Sequence, residues 1–229
     1  MPGIPGAADP PPGLTPDAAA GWGAVRAAVE ADGALSAARK ALLVAAVAAV
    51  QGDVRMAAGE LRRGFERGLE PAEARRALPA LLLARGEPAY RRFAEALADA
   101  RPGLLEDEGE PEPEPPAPAE ADAYFTSHFG SIPPRQALLS ERAPAVYEGY
   151  FRLHRRVLGA EPGLAKQAEL LMLALNAAAL QPAFTAIHMQ GARRAGASEE
   201  ELVEAVLCAI PVVGIAAWPV AAQALTGEL

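Results

Sequence analysis

ELLMLALNAAALQPAFTAIH, residues 169–188, reads as the second half of one helix, a break at Gln181-Pro182 and the start of another helix. A proline is accepted in the first turn of a helix and breaks its interior, so Pro182 marks a beginning. Here a carboxylate, an amide and an imidazole flank one helix junction. Glu169 and Asn176 are seven apart and share a helix face. His188 follows at the start of the next helix, between Ile187 and Met189.

Each of these residues has two readings. Glu169 falls within an apolar run and would cost several kcal/mol if buried without a partner. It is either a surface acid or the partner of His188. Asn176 alone fits a helix-terminating amide. A lone histidine on an apolar stretch is more often a core residue than a catalyst, but the Glu169 spacing favours a pair. Paired with the carboxylate, His188 would be fixed in one tautomer and able to move a proton.

Working outward, the region after residue 121 reads as a series of helices. YFTSHFGSIP (124–133) is an entry segment and RQALLSER a short helix. Ala143-Pro144 opens a helix carrying VYEGYFRLHRRVL, and another follows Pro162-Gly163. The helix from Pro182 closes at Gly196, and Ser198 with Glu201 forms a capping box for the next. Pro211 and Gly214 interrupt that helix before IAAWPVAAQAL. Before residue 106 the same grammar gives five helices. They start at Thr15-Pro16, after Ser36, at Asp53, in PAEARRALPALLLAR and at Pro88, with Pro79 expected to bend the fourth. Residues 1–14 read as disordered, and EDEGEPEPEPPAPAEA (106–121) as an extended acidic linker.

The two series are in register. Gly68 and Gly196 lie 128 positions apart, and at that offset Gly86 meets Gly214, Tyr90 meets Trp218 and Trp22 meets Tyr150. This predicts an internal duplication, with a first helical repeat over 15–105 and a second over 122–229. At the positions matching Glu169, Asn176, Gln181, Phe184 and His188 the first repeat has Ala41, Ala48, Asp53, Met56 and Glu60. Asp53 reads as a cap and Glu60 as a helix-surface acid. Any site then belongs to the second repeat, with the first as its packing partner.

Composition narrows the function classes. Apolar residues form 51% of the 229 and aromatics only 5%, which fits a core of Ala, Leu and Val in packed helices. A formal net charge of −8 argues against nucleic acid. The single cysteine, Cys208, excludes an intrachain disulfide or a CxxC pair, and its apolar neighbours read as core. His128 reads as a pocket-mouth residue and His154, beside two arginines, as helix surface. The three histidines have no metal-ligand spacing, so no metal and no cofactor is expected. The N-terminus lacks the basic and apolar regions of a signal peptide, and no apolar stretch reaches about 20 residues. A cytoplasmic protein without membrane association is expected.

The region 124–225 resembles the carboxymuconolactone decarboxylase family, which includes the alkyl-hydroperoxidase-D-like proteins. The residues that carry the likeness are FGSIP (129–133), AP (143–144), AKQAELLMLALNAA (165–178), AIHMQGARRAG (186–196) and SEEELVEAVL (198–207). The peroxidase branch has Glu, eleven residues, CxxC, three residues and His. Here Glu169 and His188 keep that frame, while Gln181 and Phe184 stand in place of both cysteines. Dithiol chemistry is thereby excluded. The resemblance implies an all-α fold of two tandem domains and acid–base work on a small carboxylate or lactone. It implies His188 and Glu169 as the catalytic pair, with Asn176, Gln181, Phe184 and His128 at the substrate. It also implies a homo-oligomer, either a trimer of two-domain chains or a dimer. A non-catalytic scaffold or ligand-binding member is the alternative, and a peroxide enzyme using Cys208 alone the third reading.

Overall fold

The computed structural model describes residues 10–106, 120–159 and 162–226. Every regular element among them is helical. The first half holds α1 (Pro16–Glu30), α2 (Ala37–Gln51), α3 (Val54–Glu66), α4 (Pro71–Arg85) and α5 (Glu87–Ala100). The second holds α6 (Glu120–Phe129), α7 (Pro134–Arg142), α8 (Pro144–Leu158), α9 (Pro162–Ala178) and α10 (Pro182–Arg194). It ends with α11 (Glu199–Leu207), α12 (Ile210–Val213) and α13 (Ala217–Thr226).

The expected start signals operate locally. Thr15, Ser36 and Asp53 side chains each accept a first-turn N–H, and Ser198 with Glu201 completes the capping box. Such caps satisfy amides that a helix start leaves unpaired. Three expectations are corrected. The 124–133 stretch, read as an entry segment, is largely a helix, because α6 runs through Glu120–Phe129 and buries Ala121 and Phe125. The linker therefore ends before residue 120, and the rest of it, 107–119, lies outside the described residues, as do residues 1–9. The last interruption falls at Cys208-Ala209, ahead of Pro211, which sits in the first turn of α12.

A shift of 128 superposes the two helix series. α1 maps onto α8 and α3 onto α10 at both ends, and α4 maps onto α11 and α12 together. The backbone agrees at Gly68 and Gly196 (φ 92° and 85°) and at Gly86 and Gly214 (φ 75° and 79°). Positive φ at a helix end is where glycine is favoured. Gly52 (φ 93°) maps onto Leu180, which holds φ 53° without being glycine.

α2 and α9 are apolar on nearly all sides and are buried centrally, touching each other. The remaining contacts between halves come in reciprocal pairs. α4 touches α8 and α9, while α11 touches α1 and α2. That is the pattern of a self-complementary two-fold interface. One hydrophobic core runs through both halves, so they share an interior. A smaller aromatic cluster joins α6 and α8, with Phe125 and Phe151 at its centre and Leu139 of α7 packed against it.

Candidate active site

Glu169 on α9 and His188 on α10 meet: Glu169 Oε2 lies 2.8 Å from His188 Nδ1. They are 4% and 8% exposed. An ionised carboxylate only accepts hydrogen bonds, so Nδ1 carries the hydrogen and the bond selects that tautomer. His188 Nε2 has no hydrogen-bond partner among the described residues. Packing leaves room for the pair at Gly191, one turn beyond His188. A Cβ there would stand 2.2 Å from Glu169 Oε1.

Both residues line a cavity of about 270 Å³. Asn176, Phe184 and His128 line it as well. Gln181 is not among the lining residues; it is the exposed N-cap of α10. Phe184 is half-exposed at the rim. Asn176 does not terminate a helix. It is buried within α9, donates from Nδ2 to Met172 O (2.7 Å) and accepts from Arg85 through Oδ1 (3.1 Å).

Arg85 overturns the assignment of the site to the second half alone. It ends α4 of the first half and lines the cavity with Leu83 and Ala84. Its NH2 group also donates to Leu175 O (2.7 Å), and its NH1 to Ala84 O (2.9 Å). Its Nε is buried without a hydrogen-bond partner among the described residues. Burial lowers its pKa from the ordinary arginine value, yet arginine keeps its charge in proteins. The sequence offered no signal for this role, since an arginine before a C-terminal glycine reads as a favourable helix end.

His154 is also corrected. It is no surface residue but is 4% exposed, with Nδ1 2.8 Å from the Tyr124 hydroxyl. Burial, then the neighbouring His128 and His188, push its pKa down to about 3. His128 sits edge-on to it, ring centres 4.8 Å apart, and burial lowers its pKa too, against an opposing pull from Glu169. The sequence did hold a signal for His154. Tyr147, Phe151, His154 and Leu158 follow the helical period, which places the histidine on the apolar face. All three histidines thus line one cavity, joined by Arg135 and Arg194. Among the described residues no cluster of His, Cys, Asp or Glu has a metal-holding arrangement.

The matching place in the first half is filled differently. Glu60, at the His188 position, is fully buried rather than a surface acid. Arg26, at the His154 position, donates to it at 2.6 Å, and Arg63, at the Gly191 position, also pairs with it. Asp53 is the cap expected of it, accepting from Met56 N at 2.8 Å. Cys208 is fully buried, and burial pushes its thiol up to about 12, far from a reactive thiolate.

No helix among the described residues is long and apolar enough to cross a membrane. No curated protein matches the chain. Residues 144–227, from the start of α8 into the chain's last residues, match the model of the carboxymuconolactone decarboxylase family, and it is to this family that the part of the second half carrying Glu169 and His188 is similar.

Proposed function

We propose that the chain is a carboxymuconolactone-decarboxylase-like lyase or isomerase that acts on a small carboxylate or lactone without a cofactor. The observation that carries this reading is the buried 2.8 Å contact between Glu169 and His188 on the wall of a cavity. A histidine held by a carboxylate through Nδ1 presents Nε2 as its working atom. Phe184, Ile187 and Met172 give the cavity an apolar lining, while Arg85, Arg135 and Arg194 supply positive charge for an anionic substrate.

In a decarboxylation the bond to the departing carboxyl group breaks and carbon dioxide leaves. The electron pair passes into an adjacent carbonyl, giving an enolate whose oxygen Arg85 stabilises. Protonated His188 gives its Nε2 proton to the carbon, Glu169 stabilises the imidazolium beforehand, and solvent restores the proton. In an isomerisation, neutral His188 takes a proton from one carbon and returns it to another. The two halves act as two copies of one unit, a reading supported by helix bounds that coincide at a shift of 128. The reciprocal contacts between halves make each chain a pseudo-dimer, and three chains make the assembly. Sedimentation or native mass would check that count, with a dimer of chains as the alternative.

The test is a panel of lactones and oxo-acids offered to the wild type and to His188→Ala. Turnover of at least one member by the wild type, reduced about 100-fold or more in the variant, supports acid–base catalysis. Equal turnover removes His188 from the mechanism. Tight binding with no turnover selects the ligand-binding reading, which the filled first-half position favours.

A further inference from the structure

A second cavity, of about 780 Å³, lies between the halves and shares no lining residue with the first. Its walls come from α2 and α4 on one side and α8 and α9 on the other. The lining is largely aliphatic, including Leu42, Leu43, Leu78, Leu82, Leu164 and Leu171. The volume is within the range of small-molecule sites, about 300–1,000 Å³.

The pseudo-two-fold relation explains why the cavity is open. At the mirrored place, where α11 meets α1 and α2, an ion pair closes the gap. Lys40, 2% exposed, lies 3.0 Å from Glu204 and donates to Ala28 O and Ala31 O at 3.1 Å each. Glu204 also accepts from Ala34 N (3.1 Å) and Leu35 N (2.7 Å). Shifting by 128, the position of Lys40 becomes Ala168 and that of Glu204 becomes Arg76. Both line the open cavity. The sealed side therefore has a lysine and an acid where the open side has a methyl group and a guanidinium.

The charges around the open side do not balance. Arg39 is paired with Glu73 and Lys166 with Glu201. Arg76 and Arg156, both exposed, have no ion pair or hydrogen bond among the described residues. An apolar trough with unpaired guanidinium groups at its edge suits a ligand with one negative head and one apolar tail.

We propose that this cavity binds a single-chain amphiphile with an anionic head, of the class of medium- to long-chain carboxylates. The tail lies along the leucines and the head pairs with Arg76, with Arg156 adding to the positive potential. Lengthening the tail tightens binding about fourfold per methylene until the trough is full.

The test is calorimetric titration of the full chain with decanoate, decyltrimethylammonium and acetate. Decanoate is expected to bind saturably, the cationic amphiphile at least tenfold more weakly, and acetate not measurably. Arg76→Glu should weaken decanoate at least tenfold, with Arg76→Gln as a milder variant should the first not fold. The pair Arg76→Glu with Ala168→Lys rebuilds the sealed side's ion pair and should abolish binding, while His188→Ala should bind as the wild type does. Failure of decanoate to bind, equal binding of the cationic amphiphile, or wild-type binding by the rebuilt pair would overturn the proposal. A dimer that occupies this face and is indifferent to decanoate would do so too.

Discussion

The two halves share a helical frame and differ in what they bury at the same place. In the first, α1 and α3 bring Arg26 and Arg63 onto Glu60, which is fully buried. In the second, α9 and α10 bring Glu169 onto His188, and the neighbouring space is a cavity. The swaps that separate them are few: glutamate for histidine at 60 and 188, arginine for histidine at 26 and 154, arginine for glycine at 63 and 191, and alanine for glutamate at 41 and 169. A second difference lies outside the shared frame. Among the described residues α6 and α7 precede only the second series, and they supply His128, Phe129 and Arg135 to the cavity wall. A frame of helices fixes where a site can be, and a handful of side chains decides between a filled ionic cluster and a hollow lined by one carboxylate–imidazole pair.

The comparison is broken most severely at Glu60. Removing one partner of a buried ion pair leaves uncompensated charge, so Glu60→Ala should cost about 3–5 kcal/mol in chemical denaturation. Glu169→Gln keeps a hydrogen-bonding partner for His188 and should cost far less stability. Equal losses would mean that Glu169 is as structural as Glu60.

Gly191→Ala sharpens the second half. The new Cβ would meet the Glu169 carboxylate and push it from His188, while alanine itself favours the helix. Turnover should fall about 100-fold, and the melting temperature should fall as well, because the loss of a buried partner for the carboxylate outweighs the helix gain. The absence of any effect on turnover would mean that the 2.8 Å contact is dispensable.

The difference at 26 and 154 can be read through pH. His154 is held neutral with its pKa down at about 3, while an unfolded histidine titrates near 6.5. Between those values the unfolded chain binds a proton that the folded chain refuses. Stability is therefore full above about 6.5 and falls as the pH drops, by about 1.4 kcal/mol per unit. His128 adds in the same direction. Denaturation at pH 7, 6 and 5 should show the decline, and His154→Phe should flatten it.

Much of this was legible in the chain itself. The caps at Thr15, Ser36, Asp53 and Ser198 and the glycines at 68, 86, 196 and 214 marked the helix ends, because those signals are local. The Glu169–His188 pair followed from spacing across one junction. Glu60 was misread as surface because of its charge, and His154 because of its two arginine neighbours, which outweighed their places on an apolar stripe. Arg85 was beyond reach, because its partners Leu175 and Asn176 lie in the other half, and only the packing of α4 on α9 brings them together.

The smallest effect is expected at the turn where Gly52 and Leu180 correspond. Leu180 pays for a left-handed backbone that glycine adopts freely. Leu180→Gly should raise stability by about 0.5–1 kcal/mol, and Gly52→Ala should lower it by a similar amount.

The central claim is that the second half carries an acid–base pair and the first only an ionic cluster. It is tested most directly by turnover on one accepted lactone or oxo-acid, comparing wild type, Glu169→Gln and His188→Ala at matched folded concentration. The account predicts that kcat falls about 100-fold or more in His188→Ala and substantially in Glu169→Gln, with both proteins still folded. Unchanged kcat in both variants would contradict it.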